Sequence, residues 1–390
     1  MKKIILALSL SVAVMPLWAQ SSANALTKAQ EILQTIKEDL APDGRQVIFG
    51  LKAFNSPDGI LTVEGTTSEQ TIRDSAVEAL SSHGVDFADS ICVYPSDNWG
   101  QVRIPVASLR TAGKHAAEMA TQAVMGTPLR ILESSGEWYH VQTPDGYIAW
   151  VPQSSVQLKT AEDMEKWRKA KRFIVTSPFQ IRAYSSADKN GLRDVVTDLV
   201  NGCIVEPANS DVVLSNGRLA IKLPDDRRAY VDVSDVAPIE EWAAQNFNPE
   251  KILDIAYSME GTPYLWGGTS TKAIDCSGLA KVSYFANGII LMRDASQQAL
   301  TGTRIEASDW PNCQAGDLLF FGNPSTRRVT HVAIYDNNGN YVHSSGRVKR
   351  NSVDPESSSY LKTPFLHAVR IAGNEETKGI TRARNHNWYF

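Results

Sequence analysis

The chain has 390 residues, too many for one hydrophobic core, and at about 100–200 residues per domain it is expected to form two to four. Its 43% apolar and 21% charged residues exclude a mostly disordered chain. With 39 basic against 43 acidic residues and a net charge of -4, no global field recruits nucleic acid or anionic lipid, and no nucleic-acid partner is expected.

Residues 1–25, MKKIILALSLSVAVMPLWAQSSANA, carry two lysines, an apolar run and then small residues. This is the layout of a secretory signal peptide ending at Ala19 or Ala25, with no cysteine nearby for a lipid anchor. No later stretch reaches about 18 apolar residues, so no membrane span is expected, and the protein reads as exported, in the periplasm of a bacterium. Export permits disulfides, but Cys92, Cys203, Cys276 and Cys313 are far apart, with no CxxC pair and no metal-type spacing. No metal or other cofactor is called for.

Residues 26–102 open with the helical LTKAQEILQTIKEDL, continue with strand-like RQVIFGLKAF and GILTVEGTT, and add a second helix around SEQTIRDSAVEALSSHG. They read as a small α/β module without chemistry. From 103 to 158 short alternating runs are split by the turn signals SSGE and PDGY, as in a small β-barrel. GEWYHV and DGYIAWVP resemble the core of a bacterial SH3-like domain. TAEDMEKWRKAKR reads as a helical connector, and 172–240, broken by SNG and PDD, as a second and more divergent barrel.

Residues 247–372 carry the chemistry. PEKILDIAYSMEGTPYLWGGTS predicts a helix ending at Gly261 and then an aromatic, Gly-rich loop. DCSGLAKVSYFANGI places Leu279, Val282 and Ala286 at helical spacing, with Gly288 as a stop. Cys276 therefore falls in the first turn, where unpaired N–H groups and the helix dipole are expected to lower its pKa and to receive the oxyanion of an attacked carbonyl. AGDLLFFG, THVAIYD and NYVHSSG read as consecutive strands, with DNNGN as the last turn. If Tyr335 faces Tyr341, His331 and His343 project from one sheet face as diagonal neighbours, roughly 7–8 Å apart by backbone. One imidazole can then activate Cys276 while the other orients it. The tail, 373–390, is expected to pack its aromatic cluster back on the barrels.

PYLWGG, DCSGL, AGDLLFF, HVAIY and YVHSSG resemble, in order and spacing, the blocks of the NlpC/P60 cell-wall cysteine peptidases. The resemblance implies an α+β, papain-like catalytic domain, here preceded by two SH3-like barrels and the small α/β module. It implies Cys276 as nucleophile, His331 as base, His343 as the residue orienting it, and Tyr264 near the oxyanion. The family generally cuts γ-D-glutamyl bonds to a diamino acid in peptidoglycan stem peptides. Two barrels ahead of the catalytic domain, with HAAEMATQ opening the first, are similar to γ-D-glutamyl-L-diamino acid endopeptidases that recycle free murein peptides.

By that similarity Glu118 and Tyr147 are expected to hold the free amine of a terminal L-Ala, with Asp275 as a possible second anion or simply a helix N-cap. An ammonium left unpaired in a closed subsite would cost several kcal/mol, so the subsite would reject intact wall, whose L-Ala nitrogen is acylated. Ser277 and Trp266 are expected to line the cleft, and Arg293 and Asp294 to bind or shape the subsite of the D-Glu α-carboxylate. Ala295 stands where the family often has Ser. Two rivals remain at this stage: an endopeptidase on intact peptidoglycan with outward-facing barrels as wall-binding modules, and an inactive wall-binding protein. Whether Glu118 and Tyr147 face Cys276 discriminates the first.

Overall fold

The structure, a computed structural model, describes residues 17–189, 194–208 and 213–390. Most of the segment read as an export signal lies outside them. The chain divides after Tyr94 into two units.

In the first unit the amphipathic helices Leu17–Leu40 and Gln70–Ser82 bury Ala29, Leu33 and Ile36 from one and Ile72, Ala76 and Leu80 from the other. These positions recur every three or four residues, the spacing of a single helix face. Both helices cover a three-stranded sheet in the order Lys52–Asn55, Leu61–Thr67, Ala88–Val93. The last two strands run parallel, so Gln70–Ser82 is the crossover helix of a βαβ unit.

The expected boundary at residue 102 falls inside the next sheet. Strand Trp99–Val102 pairs with both Val156–Lys159 and Pro128–Ser135, because Val102 is wanted in the barrel core with Leu109, Val141 and Val151. Seven strands form this first barrel, with Met119–Val124 at one end of the order beside Val106–Arg110. HAAEMATQ thus leads into the barrel's third strand in sequence and does not open it. Gly136 and Gly146, in the two turns read from SSGE and PDGY, both take positive φ.

Helix Ala161–Lys169, started by a Thr160/Asp163 capping box, leads to a second seven-stranded barrel that runs from Phe173–Val175 to Val236–Pro238.

The third part packs helices Pro249–Ser258 and Cys276–Phe285 against a six-stranded antiparallel sheet. Its order is Thr303–Glu306, Phe365–Arg370, Leu318–Gly322, Val329–Asn337, Asn340–Ser345, Arg347–Ser352. Leu279, Ala280 and Tyr284 of the second helix share one core with Leu318, Phe320, Val332, Ile334 and Val342 of the sheet. The tail does pack back. Ile380–Arg382 pairs with Ile289–Leu291, the Trp388 ring meets Trp99 edge-on at 5.1 Å, and a His386 ring nitrogen lies 2.8 Å from the Pro144 carbonyl. No helix among the described residues is long and apolar enough to cross a membrane.

Candidate active site

Cys276 is the first residue of its helix, and Asp275 is the N-cap, its Oδ1 accepting from the Gly278 N–H at 2.7 Å. Three contacts hold this helix entrance. Ser344 of the sheet donates to the Ile274 carbonyl at 2.9 Å. The Asp275 N–H donates to the Gly268 carbonyl at 3.1 Å. Gly278 lies so close to the same carbonyl that any Cβ there would collide with it, which explains the glycine of DCSGL. Thiol and sheet meet at Val332, whose side chain shares the core with Cys276 and whose main-chain N–H, like that of Ser277, acts to lower the thiol pKa. His331 is the neighbour of Val332 on that strand.

The two histidines are brought together. Tyr335 pairs with Tyr341 and Ile334 with Val342, and His331 Nε2 lies 2.7 Å from His343 Nδ1. His343 Nε2 lies 2.9 Å from Asn351 Oδ1 on the next strand, a partner that the motifs did not reveal. Tyr264 sits on the Gly-rich loop, its N–H donating to the Gly346 carbonyl at 3.0 Å. Burial, then the neighbouring Cys276 and Asp275, push its phenol up to about 12, so it remains an O–H donor at neutral pH.

The electrostatics depart from expectation at the nucleophile. Burial pushes the Cys276 thiol up to about 11, Asp275 adds to the rise, and the N–H groups of Val332 and Ser277 offset only part of it. Burial likewise depresses His331 to about 3, helped by His343 and Lys349. His343 falls to about 4, with burial again the main cause and Asn351 opposing it. Both shifts favour the neutral thiol and the neutral imidazole over a preformed thiolate–imidazolium pair. A neutral imidazole can accept the thiol proton as the sulfur attacks. The first-turn N–H groups of Cys276 and Ser277, beyond the reach of any helix carbonyl, suit a developing oxyanion.

Three residues expected to touch substrate are occupied elsewhere. Arg293 is 1% exposed and Asp275 5% exposed. Arg293 Nη2 donates to Asp275 Oδ2 at 2.6 Å, Nη1 to Ser277 Oγ at 2.9 Å, and Nε to Thr121 Oγ1 at 2.9 Å. Asp275 Oδ2 also accepts from the Gly267 N–H at 3.0 Å. Burial works against the Arg293 charge, but Asp275 more than offsets it and raises the pKa. Arg293 therefore neutralises the N-cap of the nucleophile helix instead of meeting a substrate carboxylate. Both Asp275 oxygens already accept hydrogen bonds, and the buried Ser277 hydroxyl is engaged by Arg293 and Asp275.

The first barrel packs against the loop that precedes Cys276. Glu118 Oε1 accepts from the Trp266 indole N–H at 2.6 Å, and Trp266 is 61% exposed. The buried Tyr147 donates its hydroxyl to Asp294 Oδ2 at 3.3 Å, and Asp294 itself caps the short helix Ala295–Gln298 with Gln297. Gln122, unremarked in the sequence, grips the loop before the nucleophile. Its Oε1 accepts from the Thr269 N–H and the Ser270 hydroxyl, both at 3.0 Å. Gly267 lies against the Met119 carbonyl, 2.5 Å from where a Cβ would be, and has φ 79°. The first glycine of PYLWGG thus lies on the seam between barrel and catalytic domain.

Residues 261–370 match the NlpC/P60 family, and residues 109–156 match the bacterial dipeptidyl-peptidase Sh3 domain. A gamma-D-glutamyl-L-lysine dipeptidyl-peptidase of Bacillus cereus (strain ATCC 10987 / NRS 248) is 26% identical over 260 residues, 64% of this chain and 74% of the relative. The probable endopeptidase NlpC of Escherichia coli (strain K12) is 36% identical over 121 residues, 30% of this chain and 75% of the relative. The fold is similar to that of the crystal structure of an NlpC/P60 family protein from Bacillus cereus ATCC 10987, with a TM-score of 0.59, 19% identity, and coverage of 70% of this chain and 99% of that one. The chain belongs to the NlpC/P60 family of cysteine peptidases.

Proposed function

We propose that the enzyme hydrolyses the γ-D-glutamyl–L-diamino acid bond of murein stem peptides that carry a free N-terminal L-Ala, releasing L-Ala-γ-D-Glu for cell-wall peptide recycling. The observation that carries this reading is the Glu118–Trp266 pair, which puts a barrel carboxylate on the Gly-rich loop leading to Cys276. One oxygen of Glu118 is used by the indole, leaving the other for an ammonium. Tyr147 and Asp294 form a second polar pair on the same seam. Both barrel residues turn toward the catalytic domain, which favours this reading over outward-facing wall-binding barrels. The name of the Bacillus cereus relative, a gamma-D-glutamyl-L-lysine dipeptidyl-peptidase, supports the same bond class. Export to the periplasm is part of the proposal and rests on the lysines and apolar run of residues 1–25; osmotic-shock fractionation checks it.

In the reaction Cys276 Sγ attacks the γ-carbonyl carbon while its proton passes to His331. The oxyanion is received by the first-turn N–H groups with Tyr264 beside them. His331 returns the proton to the departing amine of the diamino acid, leaving a thioester that water hydrolyses by the same base. The test offers L-Ala-γ-D-Glu-diaminopimelate with a free or an acetylated N-terminus. Acetylation should lower kcat/KM by about tenfold or more, the scale of one lost hydrogen bond to a charged group, and Glu118→Gln should shrink that difference. Equal rates on the two peptides would remove the amine subsite while leaving the peptidase.

A further inference from the structure

The three-strand ribbon behind Cys276 ends in a residue to which neither family motif nor spacing gives a role. Asn351 lies on strand Arg347–Ser352, where Tyr341 pairs with Asn351 and His343 with Lys349, so Asn351 reaches His343 diagonally. Its Oδ1 is 2.9 Å from His343 Nε2. Its Nδ2 donates to the Ser359 carbonyl at 3.0 Å, and that carbonyl is itself held by the Ser352 N–H at 3.0 Å.

We infer that Asn351 is a positioning residue that sets the tautomer of both active-site histidines, through an amide pinned by the Ser359 carbonyl. Two oxygens cannot face each other at hydrogen-bond distance, so the amide must present Nδ2 to Ser359 and Oδ1 to His343. His343 then carries its proton on Nε2 and offers a bare Nδ1. At 2.7 Å from that atom, His331 Nε2 must carry a proton and donate it. Neutral His331 is left with a bare Nδ1, the only ring atom that can take the thiol proton. Flipping the amide would reverse every step and leave an N–H where the base is needed. When Cys276 gives up its proton, S–H breaks, N–H forms on Nδ1, and the imidazolium charge is shared along Nε2–H to His343 and on to the Asn351 amide. No proton leaves the relay.

The inference rests on the cysteine-peptidase chemistry but not on the murein substrate, and its first test needs no substrate. In histidine-¹⁵N-labelled full-length protein at pH 7, His343 should show the Nε2–H tautomer; an Nδ1–H tautomer overturns the proposal. Asn351→Leu removes the acceptor and should lower kcat by about a hundredfold with KM changed less than about twofold, the scale of a misdirected general base. Asn351→Asp keeps an acceptor toward His343 but sets its second oxygen against the Ser359 carbonyl, so it should recover only part of the kcat lost in the Leu variant. It should also move the acid limb of the kcat/KM profile to higher pH, because a carboxylate favours the protonated imidazoles. A Leu variant that is folded and as active as wild type, or an Asp variant that falls as far as Leu without a shifted acid limb, would overturn the assignment. If the Leu variant does not fold, the wild-type tautomer and the Asp profile still decide.

Discussion

Cys276 shows two physical effects of opposite sign acting on one sulfur. A helix N-terminus contributes about 0.3–1 kcal/mol toward an anion, whereas removing a thiolate from water costs several kcal/mol unless it is paired. Here burial and the Asp275 charge prevail and the thiol is held near 11. Alkylation by iodoacetamide follows the thiolate fraction, so the rate at Cys276 should be slow at pH 7 and rise about tenfold per pH unit to pH 9. Site-resolved mass spectrometry separates it from the exposed Cys92. A rate that is flat from pH 6 to 9 would instead mean a standing thiolate–imidazolium pair. Slow alkylation at neutral pH therefore does not mark an inactive protein. Under the proposed mechanism, in which a neutral His331 takes the proton during attack, peptide turnover at the same pH should persist.

At the scale of elements, the nucleophile helix is anchored by a buried ion pair that also touches the barrel. Arg293→Met would leave Asp275 as an unpaired buried carboxylate and should destabilise the protein by about 3–5 kcal/mol, read as a fall in the denaturant midpoint. A subsite residue would instead raise KM and leave the midpoint unchanged. The difference between expectation and structure here has a plain cause. Sequence periodicity exposes a helix face, a hairpin register and a turn, which is why Cys276 at a helix start and the Tyr335–Tyr341 register were legible. Arg293 looked like a carboxylate binder because residue type shows what a side chain can bind. Its partners, Asp275 and Thr121, come from 18 and 172 residues away, and that choice is made by packing. Asn351 was invisible for a related reason: its role depends on a diagonal across two strands and on a loop carbonyl at Ser359. Trp99–Val102 was misassigned to the first module because a four-residue strand carries too little pattern to name its sheet.

Across the whole molecule, five of the seven histidines are held neutral by burial: His140 in the first barrel, His331, His343 and His367 in the catalytic sheet, and His386 in the tail. Each contributes in the same direction to the pH dependence of stability. In the unfolded chain these imidazoles take up protons near pH 6.5, whereas in the folded protein they do so only at lower pH. Between those values the unfolded state binds more protons, so stability falls as the pH falls. His386 adds a link between domains, since its ring meets the Pro144 carbonyl of the first barrel while the tail strand pairs with Ile289–Leu291 of the catalytic domain. The melting temperature should therefore drop steadily from pH 6.5 to 5, above the range where ordinary carboxylates titrate, and His386→Gln should reduce the slope. A melting temperature constant across that interval would mean that these rings already take up protons in the folded protein, and the neutral relay assigned to His331 and His343 would fall with it.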